Sequence, residues 1–338
     1  MITASPSARL SSPAPDWRQL WREAITDPAE LLELLGLGLG ALSAALPKDD
    51  AGFALRVPRG FVARMRHGDA RDPLLLQVLP QLAELEQAEG FSTDAVGDLD
   101  ARETQGLLHK YEGRALLIAS GSCAVNCRYC LRRHFPYGEE MAAAGQWRQA
   151  LAHLRADPSI TELILSGGDP LALATSKLEE LTRGLAELPH VTRLRIHTRL
   201  PVVLPDRIDE AFLGWLSALP LQKVVVLHAN HANEFDAAVD AACAGLRAAG
   251  ATLLNQTVLL RGINDREDAL IELSERLFAA GVLPYYLHQL DRVQGAAHFE
   301  VDDDRALALV EAMRARLPGY LVPRLVREVA GDTSKRPL

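Results

Sequence analysis

Three cysteines stand within eight residues of one another, at Cys123, Cys127 and Cys130, in the stretch GSCAVNCRYCLRRHF. The CxxxCxxC spacing supplies three thiolates to one point. A closed structural metal site normally takes four protein ligands, and the fourth cysteine of the chain, Cys243, stands far away in AACAGLRAAG. Three ligands therefore predict a metal group with one coordination position open to a reactant.

The segment ahead of the cysteines predicts where they lie in the fold. RALLIASG is an apolar β-type run that ends in glycine. The cysteines are therefore expected on the loop that follows a strand, which is the functional end of an α/β barrel.

Composition favours an enzyme of the reduced cytosol. The chain has 338 residues, 48% of them hydrophobic, and its net charge of -8 (36 Lys and Arg against 44 Asp and Glu) argues against a nucleic-acid surface. No run approaches the roughly 18 apolar residues that a membrane span requires. The beginning, MITASPSARLSSPAPDW, has no apolar signal core and is interpreted as a flexible leader.

The pattern of the chain changes near residue 108. Residues 1–108 are predicted to comprise the leader and a helical N-terminal domain, with helical spacing in WRQLWREAITDPAELLELLGL and DPLLLQVLPQLAELEQ. Residues 109–338 alternate between strands and helices, which predicts an α/β fold with a partial (β/α)6 barrel. The strand candidates are RALLIAS, TELILSG, RLRIHT, KVVVLHA, TLLNQTVLL and LPYYLHQL, followed by a last β-type run, VPRLVREV.

The cysteine motif resembles that of the radical S-adenosylmethionine enzymes. In that family the motif holds a 4Fe-4S cluster whose fourth iron binds S-adenosylmethionine, an aromatic residue precedes the last cysteine, as Tyr129 does here, and a glycine-rich turn contacts the cofactor. The matching turn is Ser166, Gly167, Gly168 and Asp169. By itself this turn is more often a strand-to-helix connection with a capping aspartate. The alternatives for the cysteines are a zinc knuckle with His134 or buried core thiols.

Over most of its length the chain is similar to the lysine 2,3-aminomutases. The motifs that carry this resemblance are VPRGFVARM, HKYEGRALL, CRYCLRRHF, LILSGGDPL, RLPVVLPDRI, HANHANE, NQTVLLRGIND, LDRVQGAAHF and GDTSK. In these enzymes a lysine near the C-terminus forms a Schiff base with pyridoxal phosphate, and the matching residue is Lys335. Without the resemblance, Lys335 would be read as a solvated tail residue.

The resemblance also implies the substrate contacts. Arg132 matches the arginine that binds the α-carboxylate of lysine, and Asp291 matches an aspartate that receives the ε-ammonium group. Glu328 stands where the free-lysine mutases have a second aspartate, which is a departure in side-chain length. Without the resemblance, Asp291 and Glu328 would more commonly be interpreted as surface residues or helix caps than as substrate contacts.

Further residues match positions near pyridoxal phosphate in the family: Tyr111, Arg114, Arg199, Asn255 and Gln256. Arg199 could equally form an ion pair at a strand end, and Tyr111 could be a core residue. His228 and His231, in HANHANE, follow a strand and would approach the cofactors or be structural histidines.

The implied reaction moves the nitrogen of L-lysine from Cα to Cβ. A reduced cluster sends an electron into S-adenosylmethionine, and the resulting radical takes a hydrogen from Cβ of lysine held on pyridoxal phosphate. Glu328, the GDTSK motif and the chain ending three residues after Lys335 resemble the mutase that makes (R)-β-lysine for elongation factor P. A separate lysyl ligase and an electron donor would be its partners, and an oligomer is possible.

Two alternatives remain open on the sequence. The chain could be a metabolic aminomutase for free lysine or another amino acid such as glutamate, although the pair Asp291 and Glu328 favours a basic substrate. It could also be an iron-sulfur electron-transfer protein, which would need neither Lys335 nor a cavity of cofactor size.

Overall fold

The computed structural model describes residues 16–38, 53–139 and 147–338. Residues 1–15 of the predicted leader lie outside the described residues. Within the part of the chain that the structure describes, no helix is long and apolar enough to cross a membrane.

A sheet of ten strands in sequential order organises the described residues. The strands from β3 (Arg114–Ser120) to β9 (Arg324–Arg327) run parallel, whereas the hairpin of β1 (Arg102–Thr104) and β2 (Leu107–Tyr111) and the last strand, β10 (Arg336–Pro337), add antiparallel pairs at the two edges. Strands β3 to β8 are each followed by a helix, so the predicted α/β class with six βα units is confirmed. The strands are β1 (Arg102–Thr104), β2 (Leu107–Tyr111), β3 (Arg114–Ser120), β4 (Glu162–Gly167), β5 (Arg193–Thr198), β6 (Gln222–Leu227), β7 (Ala251–Val258), β8 (Leu283–His288), β9 (Arg324–Arg327) and β10 (Arg336–Pro337).

Helices cover the outer face of the sheet because their apolar residues recur at helical spacing. In the helix Thr175–Leu185, for example, Leu178, Leu181 and Leu185 are fully buried on one side. The α-helices are α1 (Trp17–Arg22), α2 (Pro28–Leu34), α3 (Arg59–Val62), α4 (Pro73–Leu76), α5 (Arg148–Ala156), α6 (Thr175–Leu185), α7 (Leu200–Val203), α8 (Glu210–Ala218), α9 (Ala237–Ala248), α10 (Glu267–Ala279) and α11 (Asp303–Arg316). Short 3-10 helices lie at Leu82–Leu85, Pro170–Ala172, Pro205–Arg207, Ala232–Glu234, Ala297–Phe299 and Gly319–Leu321.

The N-terminal region is less helical than its apolar spacing predicts. The first predicted helix is divided into α1 and α2, because Ile25 forms an isolated antiparallel bridge with Val57 and Asp27 caps a new helix that starts at Pro28. Strand β1 also lies before residue 108. Apolar residues on both sides of that position belong to one core cluster, and the predicted domain boundary stays a prediction.

Strand alternation separates an apolar outer face from a polar interior. On β5, Leu194 and Ile196 are buried toward the helices, while the alternate residues Arg193, Arg195 and His197 line the interior cavity. Strand β4 shows the same alternation, and its residues Glu162, Ile164 and Ser166 line the cavity. The main apolar core therefore lies between sheet and helices, and the interior is left free for a polar site.

A buried ion cluster attaches the N-terminal region to the cysteine loop. Glu84 accepts hydrogen bonds from Arg128 Nε at 2.8 Å and from Arg133 Nη2 at 2.8 Å, and all three side chains are at most 2% exposed. Because Arg128 lies between Cys127 and Tyr129 in the chain, this cluster fixes the loop that carries the cysteines.

Replacing Glu84 with glutamine is expected to lower the free energy of unfolding by about 3 kcal/mol, because two buried guanidinium groups lose their counter-charge. Chemical denaturation of the metal-free chain measures this. Glu187→Gln is the matched control, since Glu187 pairs with Arg155 at the surface and the change should stay within about 0.5 kcal/mol. Equal losses in the two variants would contradict the assignment.

Candidate active site

The three cysteines lie on the loop after β3, as the sequence predicts. All three residues are partly buried, and the backbone turns between them, with Cys130 N donating to Cys127 O at 3.0 Å. Burial raises the pKa of the Cys130 thiol to about 11, and the neighbouring Cys127 raises it further. Burial also raises the pKa of the Cys123 thiol, so without a bound cation the thiols of Cys123 and Cys130 are held in their neutral form.

The spacing of the sulfur atoms bears on the zinc alternative. A tetrahedral zinc site with Zn–S bonds of about 2.3 Å needs sulfurs about 3.8 Å apart. Among the described residues, Cys123, Cys127, Cys130 and His134 form no group of three ligand atoms that lie within 4.8 Å of one another. His134 Nε2 instead contacts the carbonyl oxygen of Gln294 at 3.1 Å. The arrangement disfavours a single zinc ion.

The glycine-rich turn after β4 packs directly against the cysteine loop. Gly167 has φ +116°, and a Cβ atom there would lie 2.5 Å from Ser120 O, while one at Gly168 would lie 2.7 Å from Ser122 O. Gly168 N donates to Ser120 O at 2.7 Å, and Asp169 N donates to Ser122 O at 2.8 Å. Glycine is required at both positions because the two backbones meet there.

Asp169 ties this turn to the end of β5. Its carboxylate accepts hydrogen bonds from Thr198 Oγ1, from Arg199 N at 2.7 Å, and from Leu171 N and Leu200 N. Burial raises its pKa to about 6. The side chain thus holds the backbone of two neighbouring strand ends.

Arg199 lies beside the cysteine loop and does not line the interior cavity. Its Nη1 donates to Cys127 Sγ at 2.7 Å and to the hydroxyl of Tyr129, and its Nη2 contacts Glu234 at 3.1 Å. Tyr129 OH also accepts from Asn230 at 2.6 Å. Tyr129 and Arg199 therefore form one hydrogen-bonded network around the middle cysteine.

The parallel strands enclose a cavity of about 860 Å³. It has the size of a site for a cofactor with its substrate. The predicted site residues that line it are Tyr111, Arg114, Arg132, Ser166, His228, Gln256, Asp291, Glu328 and Lys335.

Buried polar atoms without partners face this cavity. Within the described residues these atoms are Asp291 Oδ1 and the Nε2 atoms of His197, His228 and His288. Burial lowers the pKa of all three histidines, to about 3 for His228, so they are neutral. Because buried polar groups are almost always hydrogen-bonded, the cavity wall is built to contact a polar ligand.

A chain of alternating charges runs along one side of the cavity. Lys335 Nζ pairs with Glu328, whose other oxygen lies 3.1 Å from Lys110 Nζ. Lys110 Nζ also lies 2.6 Å from Asp98, and Asp98 in turn lies 2.6 Å from Arg132 Nε. Burial alone would raise the pKa of Glu328, but the two ammonium groups hold it at about 2.

Among the described acids that line the cavity, Asp291 is the one without such a partner. Burial, reinforced by the negative charge of Glu328, raises the pKa of Asp291 to about 7. Lys335 and Lys110 act in the opposite direction but more weakly. A cationic group bound beside Asp291 would therefore favour the ionised form of its carboxyl group.

Two predicted residues have other surroundings. The side chain of Asn255 connects β7 to the end of β6 through Ala229 N at 2.9 Å and Ala229 O at 3.0 Å. His231 caps the 3-10 helix that follows β6. Neither lines the cavity.

Sequence reasoning did not single out Asp98, Lys110, His197 or His288. Lys110 stands in the motif HKYEGRALL, and the alternation in RLRIHT could have indicated that His197 faces inward. Asp98 and His288 carry no such signal, because only the fold brings them to the cavity.

A family model described as "4Fe-4S single cluster domain" matches residues 112–192. The segment contains all three cysteines and the glycine-rich turn. The match covers less than half of the chain.

Relatives of known name cover nearly the whole chain. It is 49% identical over 323 residues to L-lysine 2,3-aminomutase of Escherichia coli (96% of this chain, 94% of the relative) and 45% identical over 328 residues to that of Haemophilus influenzae (95% and 94%). The enzyme of the same name from Clostridium subterminale is 31% identical over 332 residues, which is 96% of this chain and 77% of the relative. Among solved structures, a radical SAM methyltransferase from Sphaerobacter thermophilus aligns with a TM-score of 0.44 and 19% identity, over 65% of this chain and 68% of that one.

Proposed function

Because the chain belongs to the L-lysine 2,3-aminomutase family, we propose that it converts L-lysine to (R)-β-lysine with a 4Fe-4S cluster, S-adenosylmethionine and pyridoxal phosphate. The chain is an isomerase by this membership.

The cysteine loop fits an iron-sulfur cluster with one open position. Cys123, Cys127 and Cys130 supply soft thiolates that are spread more widely than the ligands of one zinc ion. Burial raises the pKa of the Cys123 and Cys130 thiols. A cationic cluster would displace their protons on binding and stabilise the buried thiolates. The turn at Gly167 and Gly168 lies against the same loop and would contact S-adenosylmethionine.

The cavity fits pyridoxal phosphate. Lys335, just before β10, and Arg114, at the start of β3, both line the cavity, and the Arg114 guanidinium lies over the Tyr111 ring, 4.7 Å from its centroid. An arginine of this kind suits a phosphate group. When bound, pyridoxal phosphate would hold the substrate nitrogen and delocalise an unpaired electron, and the cluster with S-adenosylmethionine would generate the radical that removes hydrogen.

The charges of the cavity suit a substrate with two ammonium groups and one carboxylate. Asp98 and Ser166 hold the Arg132 guanidinium at the cavity wall, where it would bind the α-carboxylate. Asp291 would receive the ε-ammonium group. Glu328 is already neutralised by Lys110 and Lys335, so it would orient these lysines more than it would bind substrate.

The observation that carries the proposal is the placement of Lys335 and the unpartnered Asp291 on one cavity. The test is anaerobic reconstitution with iron and sulfide, followed by incubation of L-lysine with S-adenosylmethionine, pyridoxal phosphate and dithionite. Chiral mass-spectrometric analysis should detect (R)-β-lysine, with L-glutamate unreacted under the same conditions. If the protein carries a complete cluster but forms no β-lysine, L-lysine is refuted as the substrate. Formation of β-glutamate would instead support glutamate as the substrate.

We place the product in the modification of elongation factor P, with a lysyl ligase as the next enzyme. Support comes from Glu328 and the GDTSK motif, which resemble the mutase of that pathway. A ligase reaction with the purified product should raise the mass of elongation factor P by one lysyl unit. If the ligase rejects the product while β-lysine forms, the second candidate applies, which is a metabolic mutase for free lysine.

Binding of L-lysine is expected to strengthen with pH. Since the Asp291 pKa is raised to about 7, its ionised fraction rises about tenfold between pH 6 and pH 8, and the KM for L-lysine should fall by a similar factor. The lysine ε-ammonium stays charged throughout this range.

Initial rates measure this pH dependence. Asp291→Asn should raise KM and flatten the profile, whereas Asp304→Asn, at an exposed position of α11, should keep the slope. An unchanged slope in Asp291→Asn would assign the titration to another group.

A further inference from the structure

A cluster of metal-ligating side chains lies on the side of β2 that faces away from the cavity. Leu108 and Lys110 line the cavity, so His109 between them points to the opposite face of the strand. There it meets His153 of α5, and the two rings are packed edge to face with their centroids 6.2 Å apart. None of this belongs to the site described above.

Asp157 completes the group from the end of the same helix. Its backbone N–H donates to His153 O at 3.1 Å, which continues the helical turn and puts both side chains on one face. One ligand atom each from His109, His153 and Asp157 lie within 4.8 Å of one another. All three side chains are partly buried.

Two details mark this group as more than a chance approach of polar residues. His153 Nε2 is buried and has no hydrogen-bond partner, although a buried ring nitrogen normally has one. Ser159 donates to Asp157 Oδ1 from its backbone N at 3.0 Å and from its hydroxyl at 2.6 Å. Such outer hydrogen bonds orient a carboxylate ligand.

We propose that His109, His153 and Asp157 form a binding site for a divalent transition-metal ion such as Zn²⁺. Two imidazoles and one carboxylate are ligands that zinc prefers, and water would complete the coordination. The ion joins the β1–β2 hairpin to the first helix of the barrel. It therefore stabilises the strand that carries Lys110 without contacting the cavity. The proposal does not depend on the reaction catalysed.

Zinc uptake by the cluster-loaded chain tests the site. After dialysis against micromolar Zn²⁺, the zinc and iron contents of the same sample are measured by inductively coupled plasma mass spectrometry. One zinc per chain is expected in addition to the iron, and zinc should raise the melting temperature. His153→Gln and Asp157→Asn should bind zinc at least about tenfold more weakly, because even outer-shell changes have effects of this size.

Controls separate this site from the cysteines and from surface histidines. A chain with Cys123, Cys127 and Cys130 all changed to alanine should still bind one zinc, which keeps the test valid if no cluster can be loaded. His67→Gln, at an exposed histidine, should bind zinc as the parent chain does. Zinc uptake that persists in both His153→Gln and Asp157→Asn, or its absence from the parent chain, would overturn the proposal. Equal melting temperatures without zinc establish that the variants are folded.

Discussion

Replacing Lys335 with alanine is expected to lower the turnover of L-lysine by on the order of 10⁴-fold, or about 5 kcal/mol of transition-state stabilisation. The physical reason is the loss of the amine that would anchor pyridoxal phosphate in the cavity. Lys110, the other lysine of the described cavity wall, is engaged by Asp98 and Glu328 and is not expected to replace it. Iron and sulfide content should stay unchanged, since Lys335 does not contact the cysteines.

The variant needs two readouts besides turnover. Borohydride reduction of the parent enzyme with pyridoxal phosphate should attach the cofactor to Lys335, which peptide mass spectrometry locates, and the label should be absent from Lys335→Ala. Lys177→Ala, at an exposed lysine of α6, is the matched control and should retain full turnover and labelling. Turnover within tenfold of the parent enzyme in Lys335→Ala would reject the assignment of Lys335 as the amine that anchors pyridoxal phosphate.

Replacing Cys127 with alanine is expected to reduce iron to background and to abolish turnover. Each of the three cysteines would supply one thiolate, and two protein ligands should not retain the cluster. Cys127 also accepts a hydrogen bond from Arg199, so its loss leaves that buried guanidinium with Tyr129, Gln77 and Glu234 as partners. Iron analysis and the visible absorbance of the reconstituted protein measure the effect.

Cys243 provides the matched control for this experiment. It is fully buried on α9 and belongs to the apolar core. Cys243→Ala should keep iron, absorbance and turnover, with a loss of about 1 kcal/mol in the free energy of unfolding. Equal iron loss in Cys127→Ala and Cys243→Ala would indicate that misfolding, rather than a missing ligand, removes the cluster.

Local patterns in the sequence determined the α/β fold and the position of the cysteine loop. Runs such as RALLIAS and TELILSG are short and rich in leucine and isoleucine, which is typical of buried parallel strands. The helical stretches between them have one apolar face. The cysteines follow the first of these strands directly. Strand order, helix position and the loop all depend on residues close together in the chain, so pattern and spacing were sufficient.

The same reasoning was less successful where distant contacts compete with local preference. Helical spacing at WRQLWREAITDPAELLELLGL did not anticipate the break at Ile25, because the bridge that causes it comes from Val57. Likewise, the position of Arg199 beside Cys127 depends on how β5 ends next to the cysteine loop. Spacing along the chain contains no information about such a neighbour.

Lys335 illustrates what only the tertiary structure decided. By its own sequence it is a polar residue near the end of the chain, and only the family resemblance indicated a role. In the structure β10 turns back and pairs antiparallel with β9, matching Arg336 with Arg327 and Pro337 with Val326. This hairpin brings Lys335 beside Glu328, seven residues earlier, and its side chain is only 20% exposed. The sequence by itself determined the strands and the cysteine ligands. The pairing of β10 with β9 decided that Lys335 faces the cavity. Only the tertiary structure could decide this, because the cavity forms when strands that are distant in sequence pack together and exclude water.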